Sequence, residues 1–158
     1  MDSEAKIYLD RAGNEILLSE NDMRMSIDDE TKKFLGIPME KTFFNSVINH
    51  AYYAIFYAAK AYLKSLDVKT SPPEEHKKTY EEFKKIVDSG NLDKQLLEIY
   101  ETESIKAEAL LYILLREKKK RGLFTYNIKS EANIPYAKES IDNSVNFLSL
   151  IKLILEKS

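Results

Sequence analysis

The sequence NSVINHAYYAIFYAAKAYL, residues 45–63, decides the fold of this chain. Apolar side chains recur in and around it every three or four residues, which is the spacing of one face of an α-helix. They form two neighbouring stripes: Phe44, Ile48, Tyr52, Ile55, Ala59, Tyr62 and Leu66 in one, and Phe43, Val47, Ala54 and Ala58 in the other. An apolar arc of this width implies contact on two sides, so we expect a central helix from about residue 38 to 66.

The same periodicity predicts helices on both sides of this segment. We expect a first helix over residues 3–25 with Ser3 as its N-cap, followed by a short helical turn that ends at Gly36. After the central helix, Ser71 is expected to cap a helix over residues 73–88.

The C-terminal part is also expected to be helical. A long helix is predicted over residues 92–120, and a kink or break near residues 102–104 is consistent with Glu103, which interrupts its apolar stripe. Residues 123–134 are expected to form an irregular connection, after which Pro135 begins the last helix. No strand pattern or internal repeat is found, so the predicted fold is all-α, an up-and-down four-helix bundle plus a short extra helix.

Composition fits one helical domain over residues 1–158 and excludes several functions. Cysteine is absent, which excludes disulfides, thiolate nucleophiles and zinc fingers. A net charge of −2 disfavours a dedicated duplex-DNA-binding protein. The longest apolar run, residues 51–59, is too short to cross a bilayer, and the polar N-terminus predicts no signal peptide.

Metal sites and hydrolase triads find little support in the sequence. A di-iron bundle needs two Glu-x-x-His motifs, and the sequence contains none. The acidic run at residues 28–30 lacks the spacing of a calcium loop and is typical of a helix N-terminus. No serine occupies a strained-elbow motif. We therefore expect no metal and no other cofactor.

Four segments resemble the HEPN domain family over about residues 40–155. The helix AYYAIFYAAKAYL, residues 51–63, resembles the hallmark helix of that family. His76-Lys-Lys followed by Tyr80 and Phe83 is similar to its third helix, and Leu114-Leu-Arg116 is similar to the end of its penultimate long helix. Ala137, Ser144 and Phe147 are similarly placed in the last helix.

This resemblance implies a small helical bundle that forms a homodimer in a prokaryotic cytoplasm and has no membrane partner. Many members occur beside a minimal nucleotidyltransferase as a toxin–antitoxin pair. Active members are metal-independent ribonucleases in which four to six residues separate an Arg from a His, often with a Tyr two residues after that His. Two copies meet to form one composite site.

The sequence departs from the nuclease motif, because no histidine follows His76. Counted from Arg121, Tyr126 takes the place of the motif histidine. A tyrosine with a pKa of about 10 is a poor general base near neutral pH. We therefore expect binding with weak or no cleavage, and the alternative is a ribonuclease with an altered site formed by Arg116, Arg121 and Tyr126.

The candidate phosphate or RNA contacts are the basic residues of the run REKKKR and two aromatic residues beyond it: Arg116, Lys118, Lys119, Lys120, Arg121, Phe124 and Tyr126. The same run could instead be a solvated helix end that complements the dipole. His50 and His76 are accessory candidates, for which a packed and hydrogen-bonded role is the stronger interpretation. A third interpretation is a purely structural bundle that binds a partner protein or a second copy.

Overall fold

The computed structural model describes the backbone of residues 1–119 and 130–158, and the side chains of residues 1–111 and 134–158. Within these backbone ranges the chain forms six helices and no strand. The helices are α1 (Ser3–Ile27), α2 (Asp29–Leu35), α3 (Phe44–Ser65), α4 (Glu75–Asp88), α5 (Lys94–Lys119) and α6 (Ser130–Lys157). The all-α bundle predicted from the sequence is confirmed.

Helix α3 lies at the centre of the bundle, as its two apolar stripes predict. It contacts α1, α4, α5 and α6. Five of its alanines are fully buried: Ala51, Ala54, Ala58, Ala59 and Ala61. The aromatic side chains of Phe83, Tyr100 and Phe147 come from the three helices α4, α5 and α6, and they pack together with ring centroids 5.6–6.0 Å apart.

The first two helices begin at aspartates. Asp2, rather than the expected Ser3, caps α1, because its carboxylate accepts hydrogen bonds from the backbone N–H groups of Glu4 and Ala5 at 2.7 and 3.3 Å. These bonds lower the pKa of the Asp2 carboxyl. Helix α2 ends at Gly36, whose φ of 72° is the left-handed conformation that glycine adopts most easily.

Helix α3 begins at Phe44, six residues later than the expected residue 38. The buried side chain of Lys32 accounts for the difference, because its Nζ donates to the carbonyl oxygens of Met39 and Lys41, each at 2.6 Å. Ser26 Oγ also accepts a hydrogen bond from the N–H of Phe43 at 2.7 Å. These polar contacts hold residues 36–43 as a loop.

Three other predicted boundaries or features are wrong. Helix α4 is preceded by Glu74 at a φ of 56° and is not capped by Ser71. Helix α5 is continuous through residues 102–104, because Glu103 is buried among polar partners. Helix α6 begins at Ser130, so Pro135 lies inside it and removes a single backbone N–H donor.

Across the described residues, none of the helices combines the length and the apolar character that crossing a membrane requires. Buried apolar residues of α1, α4, α5 and α6 pack with those of α3 in a shared core.

The aromatic core predicts a large cost for truncating Phe147. Its side chain is fully buried against Phe83 and Tyr100, so Phe147→Ala leaves a cavity and is expected to lower the free energy of unfolding by about 3–5 kcal/mol. Leu153→Ala is the matched control on α6, because Leu153 is 49% exposed. Urea denaturation measures both variants, and equal losses for the two would contradict this assignment of the core.

Candidate functional site

An open groove of about 980 Å³ lies between α3, α4 and α5. Asn45, Asn49 and Tyr53 of α3 line one wall, and the N-terminal part of α4 lines one end. The opposite wall is the middle of α5, from Glu101 to Leu111. The groove is a consequence of the fold, because α3 turns its alanines towards the core and carries Tyr52 and Tyr53 on the flank beside α4 and α5.

Aromatic rings form the wall on the α3 side. The imidazole of His76, the second residue of α4, stacks on Phe56 with ring centroids 3.9 Å apart and an interplanar angle of 11°. Tyr53 meets the same imidazole edge-on at 5.4 Å, and 37% of Tyr53 is exposed. The phenol of Tyr52 lies 2.8 Å from Nδ1 of His76. The rings of Tyr52, Tyr53 and His76 line the groove.

His76 is held in its neutral form. Burial lowers the pKa of its imidazole, and the Lys60 ammonium lowers it further, against the opposing effect of Glu75. Burial also raises the pKa of Tyr52 to about 12, so its phenol stays protonated at neutral pH. The Tyr52 hydroxyl and Nδ1 of the neutral ring therefore share one hydrogen bond, whose donor is set by the tautomer of the imidazole. This packed and hydrogen-bonded state is the role favoured for His76 from the sequence.

Hydrogen-bonded carboxylates define the α5 side of the groove. The Tyr80 hydroxyl donates to Glu101 Oε1 at 2.6 Å, and burial followed by this hydrogen bond raises the pKa of Tyr80 to about 12. Glu108 lies two turns further along α5 and is exposed at the groove. Among the side chains at residues 1–111 and 134–158, those that line the groove include the carboxylates of Glu74, Glu101 and Glu108 and a single lysine, Lys77. The groove therefore offers acceptors and negative charge beside an aromatic wall.

His50 lies in a different place, on the side of α3 that faces α1. Its Nδ1 is 2.5 Å from Glu15 Oε2, and its Nε2 is 3.8 Å from Asp22 Oδ2. Ser46 Oγ donates to the same Asp22 carboxylate at 2.5 Å. His50 therefore joins the two helices, and the structure does not bring it together with His76.

A charged pair is buried between α5 and α6. Glu103 is fully buried and Lys106 is 3% exposed, with Nζ and Oε2 3.3 Å apart. Asn143 Nδ2 donates to the same carboxylate at 2.9 Å, and Lys106 Nζ also donates to the Tyr136 carbonyl and to Ser140 Oγ, each at 3.1 Å. These partners offset the cost of removing both charges from water, so the network ties α5 to α6.

The side chains of the predicted phosphate site lie outside the described residues. Arg116, Lys118 and Lys119 belong to the last turns of α5, and their side chains lie outside the described residues. The remaining four candidates, Lys120, Arg121, Phe124 and Tyr126, lie outside the described residues altogether. Of the two candidate histidines, His76 lines the groove and His50 does not.

The α5 side of the groove was missed in the sequence, although a signal for it exists. Glu101, Ser104 and Glu108 follow one another at intervals of three and four residues, which places them on one helical face beside the apolar stripe. Recognising that this face lies opposite the α3 tyrosines requires the arrangement of the three helices in space.

Among the side chains at residues 1–111 and 134–158, no group of three or more potential ligands could hold a metal ion. The chain matches no family model, no curated protein and no solved structure. The geometry of the groove is therefore interpreted from its own residues, which suit binding by stacking, hydrogen bonding and charge.

The neutral His76 predicts a pH-dependent contribution to stability. Folding lowers the pKa of His76, so the neutral side chain contributes to the free energy of unfolding at pH values above its unfolded pKa of about 6.5. That contribution is lost as the pH falls towards the pKa of the folded state. The stability difference between the wild type and His76→Gln should therefore be larger at pH 7.5 than at pH 5.5. Urea denaturation at the two pH values measures it, and a larger difference at the lower pH would contradict the neutral assignment.

The buried pair predicts that losing one charge costs more than losing both. Lys106→Met leaves the Glu103 carboxylate buried without its cation and is expected to cost about 3–5 kcal/mol. In the double variant Glu103→Gln/Lys106→Met, the amide can still accept from Asn143 and no charge is buried, so most of that loss should return. Denaturation of the two variants compares them. A double variant no more stable than Lys106→Met would reject the ion-pair explanation.

Proposed function

We propose that this chain is a HEPN-like, RNA-associated helical bundle that binds RNA or a nucleotide at the basic end of α5 and cleaves it weakly or not at all. The resemblance of its helices to that family provides the substrate class. Cytoplasmic location, a homodimer and pairing with a minimal nucleotidyltransferase as in a toxin–antitoxin system belong to the same proposal.

The observation that carries this proposal is the contact between two of the segments that resemble the family. The hallmark helix contributes Phe56 and Tyr52, and the following helix contributes His76, which stacks on the first and is hydrogen-bonded to the second. Two motifs that are separate in sequence therefore meet in one packed cluster. Contact between the two segments is expected if both belong to one HEPN-like fold.

The charge pattern of α5 supports the basic end as the phosphate site. The helix carries acidic residues in its middle, at Glu101 and Glu108, and Arg116, Lys118 and Lys119 in its last turns. Phosphates are repelled by the acidic part and attracted by the basic part. In a symmetric dimer two such basic ends would double the attraction for one RNA strand.

The positions of the histidines support weak or absent cleavage. The sequence contains two, and both lie in the described structure on the central helix and on α4. Nδ1 of His50 is engaged by Glu15 and Nδ1 of His76 by the Tyr52 hydroxyl. Neither histidine belongs to the basic run, so acid–base catalysis beside Arg116 would depend on a tyrosine such as Tyr126.

Removing two cations of the basic run is expected to weaken RNA binding. Arg116→Ala/Arg121→Ala should lower the affinity for a single-stranded RNA about tenfold and reduce the slope of log affinity against log salt by about 1.4. Lys138→Ala/Lys152→Ala is the matched control, because both lysines are exposed on α6 and the charge change is the same. Filter binding at several salt concentrations measures both. An unchanged affinity and slope in the arginine variant would reject the basic run as the phosphate site.

Incubation of the wild-type protein with RNA and EDTA distinguishes the alternatives. Intact RNA together with salt-sensitive binding is the expected result. Products that end in a 2′,3′-cyclic phosphate and disappear in Tyr126→Phe would favour the altered ribonuclease instead. No RNA or nucleotide binding at low salt would favour the purely structural bundle.

A further inference from the structure

We propose that the groove between α3, α4 and α5 is a docking site for a basic, amphipathic helical segment of a partner protein. This inference is independent of the proposed RNA binding, which concerns the basic residues in the last turns of α5. It follows from the charge, the exposed apolar surface and the length of the groove.

Among the described side chains, those that line the groove carry a net negative charge. Glu74, Glu101 and Glu108 contribute three carboxylates, and Lys77 contributes one ammonium group. The N-terminus of α4 adds a partial positive charge of about one half, so a net charge of about −1.5 remains. His76 does not change this balance, because burial lowers the pKa of its imidazole and keeps it neutral. The groove therefore attracts cationic groups and repels phosphates.

Apolar surface is exposed beside these carboxylates. Ile105 is 65% exposed and Leu111 is 57% exposed, and both line the groove on α5. Across the groove, the ring of Tyr53 is partly exposed and presents a face on which a guanidinium or ammonium group can lie. A ligand that fits must therefore carry apolar and basic side chains together.

The length of the groove favours a helix over a single small cation. The α5 wall extends from Glu101 to Leu111, and ten residues of helix rise about 15 Å. Three turns of a bound helix fit along this length, with apolar residues at i, i+3 or i+4 and i+7 against Ile105 and Leu111. Basic residues on the flanks of that helix would then meet the three carboxylates.

A fluorescein-labelled peptide of leucine and lysine, about 14 residues long and patterned as an amphipathic helix, is the probe. Its control has glutamate in place of every lysine. Fluorescence anisotropy is expected to show binding of the basic peptide by the full chain and no binding of the acidic one. Equal affinity for the two peptides, or no binding of either, would overturn the proposal.

Two sets of variants locate the binding to the groove. Glu74→Lys/Glu108→Lys should lower the affinity about tenfold, whereas Glu81→Lys/Glu98→Lys, an identical charge change at exposed residues outside the groove, should have a smaller effect. The pair Ile105→Ser/Leu111→Ser tests the apolar contact against Leu17→Ser/Leu18→Ser on the outer face of α1. Equal losses of peptide affinity in a test pair and its control would reject the groove as the binding site.

Light scattering of the wild type and of Ile105→Ser/Leu111→Ser tests a second copy of the chain as the occupant. We expect the two substitutions to leave the oligomeric state unchanged, because the proposed occupant of the groove is a segment of a partner protein and not a second copy of the chain. A wild-type dimer that the two substitutions convert to a monomer would overturn the proposal, since the groove would then be the interface between copies.

Discussion

The close packing of the small-residue face of α3 against its neighbours is the constraint on which the rest of the structure depends. Alanines such as Ala54 and Ala58 are fully buried and project little from the helix, so adjacent helices can approach closely. Ser19 of α1 uses this proximity and donates a hydrogen bond to the carbonyl of Val47 at 2.7 Å. Two bulky aromatic residues of α3, Tyr52 and Tyr53, lie on a different flank of the helix, where the groove forms.

Polar contacts of buried lysines fix the helix ends and loops around the apolar core. Lys60 of α3 is 8% exposed and forms an ion pair with Glu75 at the start of α4. The pair Glu103 and Lys106 connects α5 to α6, and Lys32 holds the loop before α3 through two carbonyl oxygens. Each buried ammonium group thus has oxygen partners, as the cost of burying an unpaired charge demands. These contacts fix the helix ends and loops that the apolar stripes alone leave undetermined.

The sequence predicts the helices well because their apolar periodicity is a local property. The central position of α3 followed from the width of its apolar arc, and the structure confirms it. Predictions failed where a distant contact overrides the local pattern: Lys32 delays the start of α3, and the partners of Glu103 keep α5 continuous. The groove includes His76, which could be selected from the sequence as an accessory candidate. The α5 wall of the groove could not be predicted, because helix spacing does not indicate which neighbour a polar face meets.

Shielded amines have a chemical consequence. Lys32, Lys60 and Lys106 are 2%, 8% and 3% exposed, and each is engaged by oxygen atoms of another segment. Acylating reagents react with a free, unprotonated amine that they can reach, so exposed lysines of the folded bundle should be modified long before these three. The rate at which each of the three lysines is acylated would then report how often its own contact opens. Lys32 reports on the α2–α3 loop, Lys60 on the α3–α4 contact and Lys106 on the α5–α6 contact.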